Sequence, residues 1–494
     1  MPNMNLPNVK HNCRAWSLAL VLLGLMAAGC SPKPAVGPKA GSIPAAPTEL
    51  IVLVVGDSIM ADGVTRHWQA EGRGETKVTE ITAAEWAKQD FVIEPQIDVA
   101  IFPASFQADV VTRERVLEIP SETWLGEEIN KNELLNHFRT TVTRYGNKIF
   151  TLPLGAPQFM LVYRADVLAA IETPIPQTWE ELDSIIEKLN GQPDLKDATG
   201  NSLPTRFAQP TGDNWAAHML LARVASAVSG YGRLSTVFHV ESMRPLIDSP
   251  PFVQSLEKMA AAERRVDGSA AGTSFADPAD VYRALAEGRA AIGITWPSAQ
   301  FVKESTPASR NLRVARLPGS AKWFEQSQQV WTERLPGEQV QVDYLGFGGS
   351  VAAVSRNSLH ASESLQFVAW LCNKRTNLQI STQLLETGPL RVSQLADPIR
   401  WCGESISAEG AEEFSQVTAA THESRTVFTF PRIVGQHEYI AELSTACRAF
   451  ISGQFTSETV ESTLKSVAEK WQALTETHGG PSTQSRLLRT AEGF

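Results

Sequence analysis

The stretch Val54-Val55-Gly56-Asp57-Ser58-Ile59 sets a serine hydroxyl and a carboxylate on a glycine turn behind an apolar run. A serine so placed can act as a nucleophile when a histidine base lies within reach. The nine histidines are scattered, with no His-Glu-x-x-His pair for zinc and no Gly-x-Ser-x-Gly elbow. The same turn has a second chemistry. Asp57 can cap the helix that follows it, and Ser58 can offer its hydroxyl to a bound molecule. The five cysteines match no zinc spacing either, so neither a metal nor a catalytic residue is assigned and no cofactor is expected.

The elements around this turn decide between the readings. Glu49 to Val55 is a continuous apolar run after its first residue, as in a parallel strand buried on both faces. An amphipathic segment follows to Gln69. Thr76 to Ile81 then alternates as a strand, Ala83 to Lys88 reads as a helix, and Ile97 to Pro103 is a third strand. Strands alternating with helices predict a βαβ-wound α/β sheet. Ligands of such sheets sit at the carboxyl ends of the strands, which here carry Asp57 and Ser58 after the first and Ser105 and Phe106 after the third. Downstream, Thr178-Trp179-Glu180-Glu181 is a capping box ahead of Leu182, Ile185, Ile186 and Leu189 on one helical face. Asp277-Pro278 starts another helix, and Ala290 to Trp296 is a strand. Tyr344 to Ser355 is a glycine-broken strand, and Val460 to Leu474 is the last amphipathic helix. The Gly- and Ser-rich residues 478–494 read as a flexible tail.

At the N-terminus Lys10 and Arg14 precede the short apolar run Ala15 to Met26, which predicts a cleaved export signal over residues 1–29. Ala27-Ala28-Gly29-Cys30 resembles a lipobox, in which the cysteine carries diacylglycerol, with Ala27 standing where that motif usually has Leu. Lipid on Cys30 would anchor the chain to a membrane surface, each buried methylene contributing about 0.8 kcal/mol. The expected location is therefore periplasmic or cell-surface. Residues 30–47, dense in Pro and Gly, read as a tether. What remains, roughly 430–450 residues, is too long for one compact core and enough for two lobes. With 54 acidic against 44 basic residues and no basic cluster, nothing points to nucleic acid. Cys372, Cys402 and Cys447 would be enough for one disulfide with one thiol left over.

The order of these blocks resembles the extracellular solute-binding protein family 1, the group that includes maltose-binding protein. The matching segments are Tyr145 to Leu154, Tyr163-Arg164-Ala165-Asp166, Pro176-Gln177-Thr178-Trp179-Glu180-Glu181-Leu182, Gly288 to Trp296 and Gly348 to Ser358. The resemblance spans most of residues 48 to 475, with departures at Ser320 to Val342 and Gly388 to Glu423.

It implies a type II periplasmic-binding-protein-like fold, two α/β lobes joined by crossing hinge segments. The N-lobe would hold 48–154 and 298–354, and the C-lobe 157–295 and 357–477. The crossings would fall at Pro153 to Pro157, Trp296 to Ser298 and Val354 to Asn357. It implies a monomer that closes on a small solute, a sugar or oligosaccharide, and delivers it to the permease subunits of an ABC importer. For a polyol ligand, Trp215, Trp296 and Arg391 join Asp57, Ser58, Ser105 and Phe106 as binding residues, with Trp296 foremost. Two other roles compete. The same fold serves as a ligand sensor for a membrane receptor, and the Gly-Asp-Ser block resembles SGNH-type esterases. Those esterases need a histidine three residues after an aspartate, a spacing this chain lacks.

Overall fold

The computed structural model describes residues 48–192, 196, 200, 202–213, 215–228, 235–263, 275–453 and 459–491; the expected signal, the tether and Cys30 lie outside them. Apolar runs become strands where both faces can be covered. In chain order the two main sheets use β1 (Leu50–Val55), β2 (Thr76–Ile81), β3 (Val99–Pro103), β4 (Leu152–Pro153), β5 (Met160–Arg164), β6 (Thr205–Ala208), β7 (Ala290–Thr295), β8 (Leu312–Ala315) and β9 (Ser350–Val354). The helices that bear on the site are α1 (Ser58–Ala70), α2 (Trp179–Asn190), α3 (Trp215–Val228), α4 (Pro278–Ala286), α5 (Ala361–Cys372), α6 (Gln436–Ile451), α7 (Val460–Thr477) and α8 (Gly480–Ala491). Among the described residues no helix is long and apolar enough to cross a membrane.

One sheet runs β2-β1-β3-β9-β4 and the other β8-β5-β7-β6. In the first, β1 lies parallel to β2 and β3, while β9 enters antiparallel between β3 and β4. In the second, every residue of β5 and β7 is buried, as strands covered on both faces must be. Each sheet has its own apolar core, and the two cores define an N-lobe and a C-lobe. The capping box expected at Thr178 starts α2, with Thr178 Oγ1 accepting from Glu181 N at 3.2 Å. Asp277 likewise caps α4, accepting from Asp280 N at 2.8 Å.

Two expectations need correction. The first crossing lies between β4 and β5, as read, but the other two do not fall at Trp296 to Ser298 and Val354 to Asn357. Residues 298–344 stay in the C-lobe, because β8 pairs antiparallel with β5 and Phe301, Leu317, Val342 and Tyr344 enter the C-lobe core. The short alternation in Leu312–Ala315 supplies a sheet edge that the sequence reading had not recognised. The second crossing therefore runs from Leu345 to Gly349. After β9 the chain remains in the N-lobe, where Phe367, Val368, Trp370 and Leu371 of α5 are buried, and it returns only between Leu395 and Trp401. Second, residues 480–491 are not a loose tail. Gly479 and Gly480, at φ +96° and +80°, turn the chain into α8, whose Gln484, Leu487, Leu488 and Ala491 are buried. Leu488 joins the C-lobe core, whereas Ala491 packs on Ala108 and Tyr145 of the N-lobe. The guanidinium of Arg432 holds the Ala491 carbonyl as well as those of Thr141 and Arg144. Cys372, Cys402 and Cys447, whose pairing the sequence left open, are each buried and free.

At the hinge, glycines let backbones touch. Gly155 of the first crossing has φ +109°, and a Cβ there would lie 2.5 Å from the Gly388 carbonyl oxygen. Gly349 of the second crossing, at φ +65°, abuts the carbonyl of Gly155 and the Cβ of Ala156. Gly349→Ala must both adopt a left-handed backbone and displace that carbonyl, so urea unfolding should show a loss of about 1–3 kcal/mol. Deleting residues 480–494 uncovers the Leu487 and Leu488 contacts, and the same measurement should show a loss of roughly 3 kcal/mol.

A cleft between the lobes

The hinge leaves a cavity of about 520 Å³ bounded by both lobes. On the N-lobe side β1 ends at Gly56, whose φ of +77° turns the chain out of the sheet. Asp57 Oδ1 then accepts from Met60 N at 2.9 Å and caps α1. Asp57 and Ser58 both line the cavity, and burial holds the Asp57 carboxyl above the usual carboxylate range. The end of β3 brings Ser105 and Phe106 to the same wall. Phe106 is 4% exposed, wedged against Trp86 and Phe91, with its ring 5.2 Å from that of His437 across the cleft.

The C-lobe side is built on the first turns of two helices. Trp215 opens α3 and is half-buried, its ring 5.4 Å from Phe347 and 5.6 Å from Trp296. One turn on, His218 Nδ1 sits 2.6 Å from Tyr344 Oη, and burial pulls its pKa down to about 4, so it is neutral at pH 7. Gly435, at φ +76°, turns the chain into α6, which presents Gln436, His437 and Ile440. The Gly435 N–H donates to Asp109 Oδ1 of the N-lobe at 3.1 Å, and burial pushes the Asp109 carboxyl up to about 6. From the second crossing come Gly346, Phe347 and Gly349, and from the N-lobe loop after the helix Lys374–Ser381 come Leu385 and Glu386.

Five of the seven sequence candidates thus meet at this cavity: Asp57, Ser58, Ser105, Phe106 and Trp215. The other two lie elsewhere. Trp296 is 2% exposed and forms a floor beneath the cleft, packed among Phe159, Trp215, Phe301 and Phe347. Its strand is buried on both faces, and the ring continues that core. Arg391 is fully buried, and its guanidinium donates to the carbonyls of Ile129 at 2.6 Å, Cys372 and Asn130. It holds N-lobe segments together and does not face the cavity.

Sequence reading missed Phe347, His218, Glu386, Gln436 and His437. Only two signals were available for them, the Gly346-Phe347-Gly348-Gly349 break and the Gly435 turn ahead of an amphipathic run. Among the described residues no group of three or more His, Cys, Asp or Glu side chains could hold a metal ion. The cleft therefore offers aromatic faces, carboxylates, hydroxyls and amides to a ligand, in the mixture that suits a small polar solute.

Solved structures share this architecture. Maltose-bound MalE3 from T. maritima has a TM-score of 0.62 at 17% identity, covering 86% of this chain and 99% of that one. An ABC transporter solute-binding protein from Agrobacterium radiobacter K84, in complex with ribitol, has a TM-score of 0.63 at 15% identity, with coverages of 87% and 99%. The GacH receptor of Streptomyces glaucescens, solved unliganded and with acarbose, reaches 0.61 at 14% identity, with coverages of 87% and 99%. At these identities the likeness is one of fold. No curated protein matches the chain in sequence. Residues 88–376, more than half of the chain, match the sequence profile of the bacterial extracellular solute-binding proteins, and the chain belongs to that family.

Proposed function

We propose that the chain is the exported binding component of an ABC importer, and that it captures a sugar, oligosaccharide or other polyol between its lobes as a monomer tethered through lipid on Cys30. The observation that carries this reading is the cleft itself. Half-buried Trp215 and Phe347 offer flat apolar faces, and Asp57, Ser58, Ser105 and Gln436 set hydrogen-bonding groups around them. A polyol needs both kinds of contact, since its C–H face is apolar and its hydroxyls demand partners. Maltose, ribitol and acarbose in the similar structures support the same ligand class. A ligand that touches both lobes binds the closed arrangement better than the open one. It thereby populates the form that docks on the permease.

Thermal unfolding of the purified protein in the presence of mono- and oligosaccharides and sugar alcohols tests the reading. At a concentration a hundred times its Kd, a true ligand contributes about 2.7 kcal/mol and raises Tm. A panel of such compounds that leaves Tm unchanged contradicts the ligand class. With a ligand in hand, Trp215→Ala should weaken binding at least roughly tenfold in titration calorimetry, because a platform for the sugar face is removed. Trp296→Ala should instead cost about 3–5 kcal/mol of stability in urea unfolding, as expected for emptying a buried aromatic site.

A further inference from the structure

The lining of the cleft has an uneven charge. Asp57, Asp213 and Glu386 contribute carboxylates, and no Lys or Arg is among the described residues around the cavity. His218 and His437 do not offset them, since burial lowers both from the usual imidazole value. Two of the three carboxylates have an answering group. Asp213 pairs with Arg448 at 2.9 Å, and Asp57 accepts the backbone N–H of Met60 at the start of α1. Glu386 differs. Its side chain is exposed at the cavity, and the charges nearest to it are the carboxylates of Asp57 of its own lobe and Asp277 of the opposite lobe. Burial and these two carboxylates all push its pKa up, and no cation or donor pulls it down.

Closing the lobes over an uncharged solute would remove water from Glu386 with no group of opposite sign in the cavity lining to replace it. That arrangement resists closure. A positive group on the ligand reverses the effect, and the same wall carries Trp215 and Phe347, aromatic faces against which an ammonium is attracted. Among the described residues no group of three or more His, Cys, Asp or Glu side chains could hold a metal ion, and the aromatic wall suits an organic cation. Resting on the polyol reading above, we infer that the cleft selects polyhydroxylated ligands bearing a positively charged nitrogen, held by Glu386 and Asp57 with Trp215 beside it.

Matched pairs of probes test this by calorimetry on the full chain: sorbitol against glucamine, and N-acetylglucosamine against glucosamine, with putrescine as an amine lacking hydroxyls. The amino member of at least one pair should bind tenfold or more tightly than its uncharged counterpart, and 0.5 M NaCl should narrow the gap. Glu386→Gln should narrow the gap between the amino and neutral members of that pair by roughly tenfold or more. Neutral and amino members binding alike, or a preference that survives in Glu386→Gln, overturns the inference and leaves the polyol reading standing. Tight binding of putrescine together with no binding of any hydroxylated probe overturns the inference as well as the polyol reading. No binding by any probe overturns both.

Discussion

Where the chain passes between its lobes, backbone lies directly on backbone. Gly155 of the first crossing, Gly349 of the second and Gly388 on the loop leading to the third approach so closely that a methyl group on any of them would strike a neighbouring carbonyl. This contact places β9 between β3 and β4, since Leu154 N donates to Ser350 O at 2.9 Å just beside it. It also puts Phe347 at the floor of the cleft. The ends of β1 and β3 and the starts of α3 and α6 face one another only because the two sheets meet across this narrow waist. Two of the three glycines have positive φ, so their freedom from a Cβ is conformational as well as steric.

A second line of contact between the lobes lies around Arg432. Its guanidinium reaches N-lobe carbonyls from a C-lobe segment, Asp109 receives the Gly435 N–H at the start of α6, and α8 sets Leu488 in the C-lobe core and Ala491 against Ala108 and Tyr145. The cleft wall formed by Gln436 and His437 belongs to this same stretch of chain. Residues that line the cleft and residues that join the lobes are thus neighbours in sequence, and His437 lies two residues beyond the turn that contacts Asp109.

Much of the N-lobe was legible because its signals are local. A buried apolar run ending in Gly56-Asp57-Ser58 specifies a parallel strand, a turn and a capped helix within ten residues, and the carboxyl ends of β1 and β3 did lead to the cavity. The Thr178 and Asp277 caps were read from the same kind of short pattern. What could not be read depends on distance. Trp296 ends a strand whose residues are all buried, and sequence does not say whether its ring meets solvent or Phe159 and Phe301. Arg391 is surrounded by carbonyls from residues 129, 130 and 372, none near it along the chain. The second crossing was misplaced because β8 is four residues long and its partner β5 lies far upstream, and the third because the apolar face of α5 does not say which lobe it covers. The last helix was hidden by its start, where Gly479-Gly480-Pro481 looks like fraying yet serves as a turn into α8.

The interleaving of the lobes also bears on how the chain folds. Ala352 in β9 pairs with Leu152 in β4 on one side and with Ile101 in β3 on the other, across an intervening stretch that holds nearly the whole C-lobe sheet. The N-lobe sheet therefore stays split, with β3 and β4 unpaired along facing edges, until β9 has been synthesised, and α8 comes later still. Long-range pairing of this kind closes slowly and leaves apolar strands uncovered in the meantime. A polypeptide that remains open so late can still be threaded through a narrow channel from its first residue nearly to its last.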